Sequence, residues 1–143
     1  MYEINRIEGE EILLRYAEIK REVERALDHS DGEWNAEQII TSAITHPLEF
    51  QIFEAKVDGV LKAIASTRVI GYKNFTAFHI ITLGGSEIYE DMPGLIQYFE
   101  EMVREYEHLD YLEFTGRRGF VKQLTKVGWT ERYVTMRKHL KET

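Results

Sequence analysis

Three side chains capable of acid–base work fall inside stretches that read as β-strands: Glu54, His79 and Glu113. A carboxylate or a neutral imidazole on the wall of a cleft can take a proton from a bound group, directly or through water. Anion chemistry sits nearby. The buried-strand pattern of Phe75 to Leu83 stops at Gly84-Gly85-Ser86, and a helical pattern follows in which Met92, Leu95, Ile96, Phe99, Val103 and Tyr106 recur every three or four residues. A strand that feeds a helix through glycines presents free backbone N–H groups, which hold an anion without a basic side chain. Further on, Gly116-Arg117-Arg118-Gly119 brackets two guanidiniums. These suit bidentate phosphate contact, or equally a pairing with Glu113 or the acidic central helix.

The elements that must position these groups are legible in order. Tyr2 to Ile7 alternates as a short strand, and after Gly9 a long helical pattern buries Ile12, Tyr16, Ile19, Val23, Ala26 and Leu27 while Glu18, Arg21, Glu22 and Arg25 face outward. Asp28 to Gly32 is a polar loop. Asn35 caps a second helix, with Gln38 completing a capping box, and Pro47 stops it. Glu49 to Val57 and Val60 to Ile70 are strands joined at Asp58-Gly59, a strong hairpin signal. Gly71 to Asn74 turns into the Phe75 strand, and the central helix begins between Ser86 and Met92. Leu109 to Thr115 is then a strand parallel to Phe75–Leu83, because a helix separates the two. A short helix through Phe120, Val121, Leu124 and Val127 ends at Gly128, and Trp129 to Leu140 reads as a last strand.

Composition bounds the rest. The chain has 143 residues, 43% of them hydrophobic, which fits one domain over 1–143 with a real core. It has no cysteine, so thiolate catalysis, disulfides and Cys-ligated zinc are excluded; a reducing cytosol fits. His29, His46, His79, His108 and His139 are scattered, and no metal is expected. No apolar run approaches the roughly 20 residues of a membrane span, and Met1-Tyr2-Glu3 does not start a signal peptide. The net charge of −7 conceals a cationic end: from Gly116 onward there are eight basic and two acidic residues, against ten basic and 23 acidic before it. That acidic majority argues against nucleic acid as a main partner.

The order strand, two helices, three antiparallel strands, helix, strand, helix, strand resembles the GCN5-related N-acetyltransferase (GNAT) fold over nearly the whole chain. The resemblance implies an α/β (α+β) architecture: a mixed sheet, mostly antiparallel, with one parallel strand pair splayed at its C-terminal ends and about four flanking helices. It implies acetyl-CoA as the cofactor, with Ile81, Leu83, Gly84, Gly85, Ser86 and Gly94 around its pyrophosphate and Arg117 or Arg118 on a phosphate. It also implies an amine acceptor, with Glu54, His79 or Glu113 as base. Gly128-Trp129 matches a glycine–aromatic pair before the family's last strand. Asp31-Gly32-Glu33-Trp34, Gly84-Gly85 and Gly116 to Phe120 resemble small acetyltransferase-like proteins of tailed phages, some of which accompany virion genes.

Three positions depart from the family pattern. Aligned on Gly94, Asp91 replaces a basic or amide residue and Ile96 a small one; Leu124 stands where a tyrosine often protonates the departing thiolate. The alternative is therefore a non-catalytic virion, assembly or host-interaction module with phage or host protein partners. It would reside in a bacterial host cytoplasm or a virion, and either form allows a homo-oligomer.

Overall fold

The Asp58-Gly59 turn sets the register of the sheet. Both residues take positive φ, 51° and 79°, the conformation a two-residue hairpin needs. It joins strand β2 (Phe50–Val57) to β3 (Val60–Gly71), and antiparallel pairing continues into β4 (Thr76–Gly84). Strand β1 (Glu3–Ile7) pairs antiparallel with β2, and β5 (Tyr111–Phe114) pairs parallel with β4 from Ala77↔Tyr111 to Ile80↔Phe114. The sheet is thus mixed, in the order β1-β2-β3-β4-β5. This computed structural model describes residues 2–86, 88–116 and 118–141, and at 89 and 91 the backbone only.

Strand alternation divides the core into two layers. On one face Phe53, Ala65, Phe78 and Ile80 pack under helices α4 (Ile88–Arg104) and α5 (Gly119–Thr125). On the other, Ile7, Ile52 and Ile64 pack under α1 (Gly9–Leu14), α2 (Tyr16–Leu27) and α3 (Ala36–Thr45). Phe99 of α4 is fully buried and meets Phe53 edge-on at 5.2 Å; burying such a ring stabilises by roughly 2–3 kcal/mol. The capping box is present at α3: the Gln38 N–H donates to Asn35 Oδ1 at 2.8 Å, and the Asn35 N–H donates to Gln38 Oε1 at 3.0 Å.

Three expectations need correction. The long first helix is two, broken at Arg15 (φ −110°, ψ 21°), so among the described residues five helices flank the sheet. No glycine or proline marks the break; Arg15 turns there to reach Glu54 of β2 at 2.7 Å. Glu22, expected outside, is 7% exposed, because α2 lies so close to β4 that a Cβ on Gly84 would stand 2.5 Å from the Glu22 main-chain oxygen. Helix α4 starts at Ile88, within the expected span of Ser86 to Met92; Pro93 therefore lies inside it and removes one backbone bond, against which its buried face holds the helix together.

The third correction concerns the C-terminus: Trp129 to Leu140 form no strand. Alternation alone makes no strand without a partner edge, and Arg137 is held instead by Asp31 at 2.9 Å and Glu33 at 2.6 Å. Helix α5 ends as its glycine predicts. The Trp129 N–H donates to the Leu124 carbonyl and the Gly128 N–H to that of Thr125, the two bonds of a Schellman close.

Candidate functional site

Strand β4 is irregular where the chemistry gathers. Thr67 of β3 pairs with Ile80 and Ser66 with Thr82, so Ile81 is an extra, bulged residue. The buried hydroxyls of Ser66 and Thr82 hydrogen-bond beside it. The last pair with β5 is Ile80↔Phe114, yet β4 runs on to Gly84. From Ile81 to Gly84 the β5 side of this strand therefore has no strand partner, which leaves a backbone edge that can pair with the amides of an extended ligand. Leu83 turns its side chain into the core under α4, so its contribution there is its backbone.

The glycines after this edge serve packing as well as turning. A Cβ on Gly85 would run into the main-chain oxygen of Lys62, at the residue where β3 bulges against β2. Gly94 lies in the second turn of α4, past the free N–H groups of the first turn, and a Cβ there would stand 2.6 Å from the Tyr2 ring. Ser86 is exposed in the turn before α4.

His79 and Glu113 are register partners in the parallel pair, which puts their side chains on the same face. Phe78 and Ile80 face α4, so by alternation His79 faces the α1–α3 side. Its Nδ1 lies 2.8 Å from Glu113 Oε1, and the same oxygen accepts from Tyr72 Oη at 2.7 Å. A carboxylate can only accept, so Nδ1 carries the hydrogen and the neutral ring keeps its lone pair on Nε2. The arrangement is that of an oriented imidazole base: His79 is 17% exposed at the side chain, within reach of solvent, and is fixed by a carboxylate itself held by a phenol. Arg68, opposite His79 on β3, is occupied elsewhere, bonded to Glu49 at 3.1 Å and stacked over Phe50.

Tyr72 escaped the sequence reading because it sits in a turn, where no periodicity marks a side chain that reaches across two strands. The bond to Glu113, and secondly burial, push its pKa from about 10 up to about 12. The unfolded chain therefore loses this proton first as pH rises. The contribution is whole below about pH 10 and fades toward pH 12. Tyr72→Phe is expected to flatten the alkaline fall in melting temperature over that window, modestly, since the residue is 44% exposed. An unchanged alkaline slope would contradict the contact.

Glu54, the third acid–base candidate, is placed apart from this pair. Its side chain is 7% exposed and bound to Arg15, which also meets Glu11 at 3.0 Å and Glu18 at 2.5 Å. The Glu54 bond is the chief cause that holds the Arg15 guanidinium pKa above its ordinary value.

Arg118 is exposed at the start of α5 and makes no ion pair among the described residues; Arg117 lies outside them, as does the Asp91 side chain. Leu124 is buried and carries no proton. A groove of about 370 Å³ along α4 is lined by Glu100, Glu101 and Arg104 among others, and its carboxylates do not suit a phosphate.

No protein-family model and no curated protein sequence matches the chain. Solved structures do. A possible acetyltransferase from Clostridium difficile 630 superposes with a TM-score of 0.70 at 10% identity, covering 100% of this chain and 99% of that one. A predicted acetyltransferase with acetyl-CoA from Clostridium acetobutylicum gives 0.69 at 12% identity, covering 98% and 97%. An aminoglycoside acetyltransferase from an uncultured soil metagenomic sample, in complex with sisomicin, gives 0.60 at 12% identity, covering 98% and 97%. With its mixed five-stranded sheet, parallel β4–β5 pair and flanking helices, the chain has the fold of the GNAT acetyltransferases.

Proposed function

We propose that this chain is an acyl-CoA-dependent N-acetyltransferase in which His79, oriented by Glu113, is the base. The observation that carries this reading is position. The His79–Glu113 pair lies two residues before the Ile81 bulge, about 7 Å along the strand, where β4 loses its β5 neighbour and offers a free backbone edge. A ligand stretched along that edge has its reactive end near Nε2. Acetyl-CoA fits the edge by chemistry, since its arm carries amides and its phosphates are anions.

In this reading the backbone of Ile81 to Gly84 pairs with that arm, and the N–H groups of Gly85, Ser86 and the first turn of α4 face the pyrophosphate. Arg118, with Arg117, stands for a further phosphate. The thioester supplies the activated acyl group. Nε2 of His79 takes the proton that the acceptor amine must lose, and Glu113 stabilises the imidazolium that results. Leu124 offers no proton to the leaving thiolate, which leaves that task to His79 or to water. Glu54 is assigned to structure and Gly94 to the contact with Tyr2. A neighbour holding sisomicin supports an amine-bearing acceptor.

The buried leucine at 124 favours a second reading, a fold retained as a non-catalytic assembly or host-interaction module. The likeness to phage proteins, and a place in a virion or host cytoplasm, belong to it. Thermal melting with acetyl-CoA and CoA separates the two. A ligand at one hundred times its Kd stabilises the native state by roughly 2.7 kcal/mol, several degrees for a chain of this length. An unmoved melting temperature at millimolar CoA would support the module instead.

A further inference from the structure

Three aromatic rings stand open beside the His79–Glu113 pair. Tyr111 lies two residues before Glu113 on β5, on the same face of the sheet. Phe75 meets Tyr111 edge-on, with centroids 4.8 Å apart and planes at 70°, and Tyr72 meets Phe75 at 4.8 Å and 39°. Tyr111 is 57% exposed and Tyr72 44%, so the corner that the rings make opens to solvent. Helices α1 to α3 cover this face farther over, above Ile7, Ile52 and Ile64. At the inner end of the corner stands Glu113, which Tyr72 Oη already meets.

The base therefore has an open surface on each side. From His79, the bulge and the free edge of β4 begin two residues toward the C-terminal end. Tyr111, register partner of Ala77, lies two residues the other way, about 7 Å along the strands. With the first surface taken by the cofactor, an acceptor approaches Nε2 over the second. A two-carbon tether between a ring and a nitrogen covers that step once the hydrogen bond to Nε2 is added. The chemistry agrees. An amine arrives as an ammonium, which ring faces and the Glu113 carboxylate attract. Arg68, opposite His79, is neutralised by Glu49 and turned onto Phe50. A further ring packs edge-to-face or offset against the corner and takes its apolar surface out of water. A polyhydroxylated amine would instead need partners for hydroxyls that ring faces do not supply.

We propose that Tyr72, Phe75 and Tyr111 form the acceptor site and select a primary amine held two carbons from an aromatic ring, 2-phenylethylamine being the simplest case. The inference rests on His79 as the base and adds the class of acceptor. The nitrogen attacks the thioester carbonyl carbon and the C–S bond breaks with its electron pair on sulfur. The amine proton passes to Nε2 and from there, or through water, to the departing thiolate.

Two measurements test it, one of which needs no transfer. Titrating 2-phenylethylamine into the ¹⁵N-labelled chain should move the amides of Tyr72, Phe75 and Tyr111. In steady-state acetylation 2-phenylethylamine should be preferred over ethanolamine. Tyr111→Thr, which keeps a strand former and drops the ring, should raise KM for 2-phenylethylamine about tenfold with much less change in kcat, and Tyr111→Phe should restore it. Amide shifts at the three rings without transfer to any amine would support the site and count against the acetyltransferase reading alone. Transfer that shows no preference for the aryl amine, a KM indifferent to Tyr111→Thr, or amides unmoved at millimolar 2-phenylethylamine would each overturn the acceptor assignment and leave His79 as the base.

Discussion

Arg15→Ala is expected to destabilise the fold by about 3–5 kcal/mol, because it strands a buried carboxylate. Arg15 sits at the break between α1 and α2 and reaches Glu54, whose side chain is only 7% exposed. Without the guanidinium Glu54 keeps its burial and loses its main counter-charge; Lys56, 3.8 Å away, is a poor substitute. Glu11 and Glu18 lie nearer solvent, at 52% and 38% exposure, so their loss adds little. Urea titration reads the difference directly. Glu54→Gln should cost less, since Arg15 then retains Glu11 and Glu18, and the double variant should fall well short of the sum. If Arg15→Ala melts like the parent, the ion pair is not what fastens α1 and α2 to the sheet.

His79→Ala is expected to lower acetyl transfer to a competent amine by roughly 10²–10⁴-fold while acetyl-CoA still raises the melting temperature. The loss is confined to chemistry because the assigned cofactor contacts are backbone groups from Ile81 onward, not the imidazole. Glu113→Gln should approach the same loss with the imidazole intact. An amide in place of the carboxylate no longer requires the hydrogen on Nδ1, so the ring is no longer held with its lone pair on Nε2. Tyr72→Phe, which removes one of two donors to Glu113, should cost far less. The assignment has a clear rival in Glu54. Transfer that survives in His79→Ala and vanishes in Glu54→Gln, with the fold unchanged, would move the base to β2.

Much of this frame is legible in the residues themselves. Asp58-Gly59 specifies its turn locally, Asn35 and Gln38 cap each other three residues apart, and the helix between β4 and β5 requires a parallel pair. Each signal is short-range or topological. What escapes is tertiary. Arg15 breaks a helix that its neighbours would continue, drawn by a partner 39 positions away. Glu22 reads as outward by periodicity but is buried, because Gly84 of β4, having no side chain, lets α2 lie close against the end of that strand. The bulge at Ile81 has no glycine or proline to announce it. Of the acid–base candidates, sequence offered three with equal claim; only the register of β4 against β5 joins two of them and sets Glu54 aside. The Trp129–Leu140 segment shows the converse: it alternates as a strand would, yet it forms none, and Arg137 is held instead by Asp31 and Glu33.

The assignment of acyl-CoA to the free edge of β4 can be read residue by residue, by titrating CoA into the ¹⁵N-labelled chain and following its backbone amides. Saturable shifts are expected at Ile81 to Ser86 and at Arg118, with the amides of the α4 groove around Glu100 and Glu101 unmoved. Amides at Ile81 to Ser86 that stay in place at millimolar CoA, or shifts gathered on that groove instead, would contradict it.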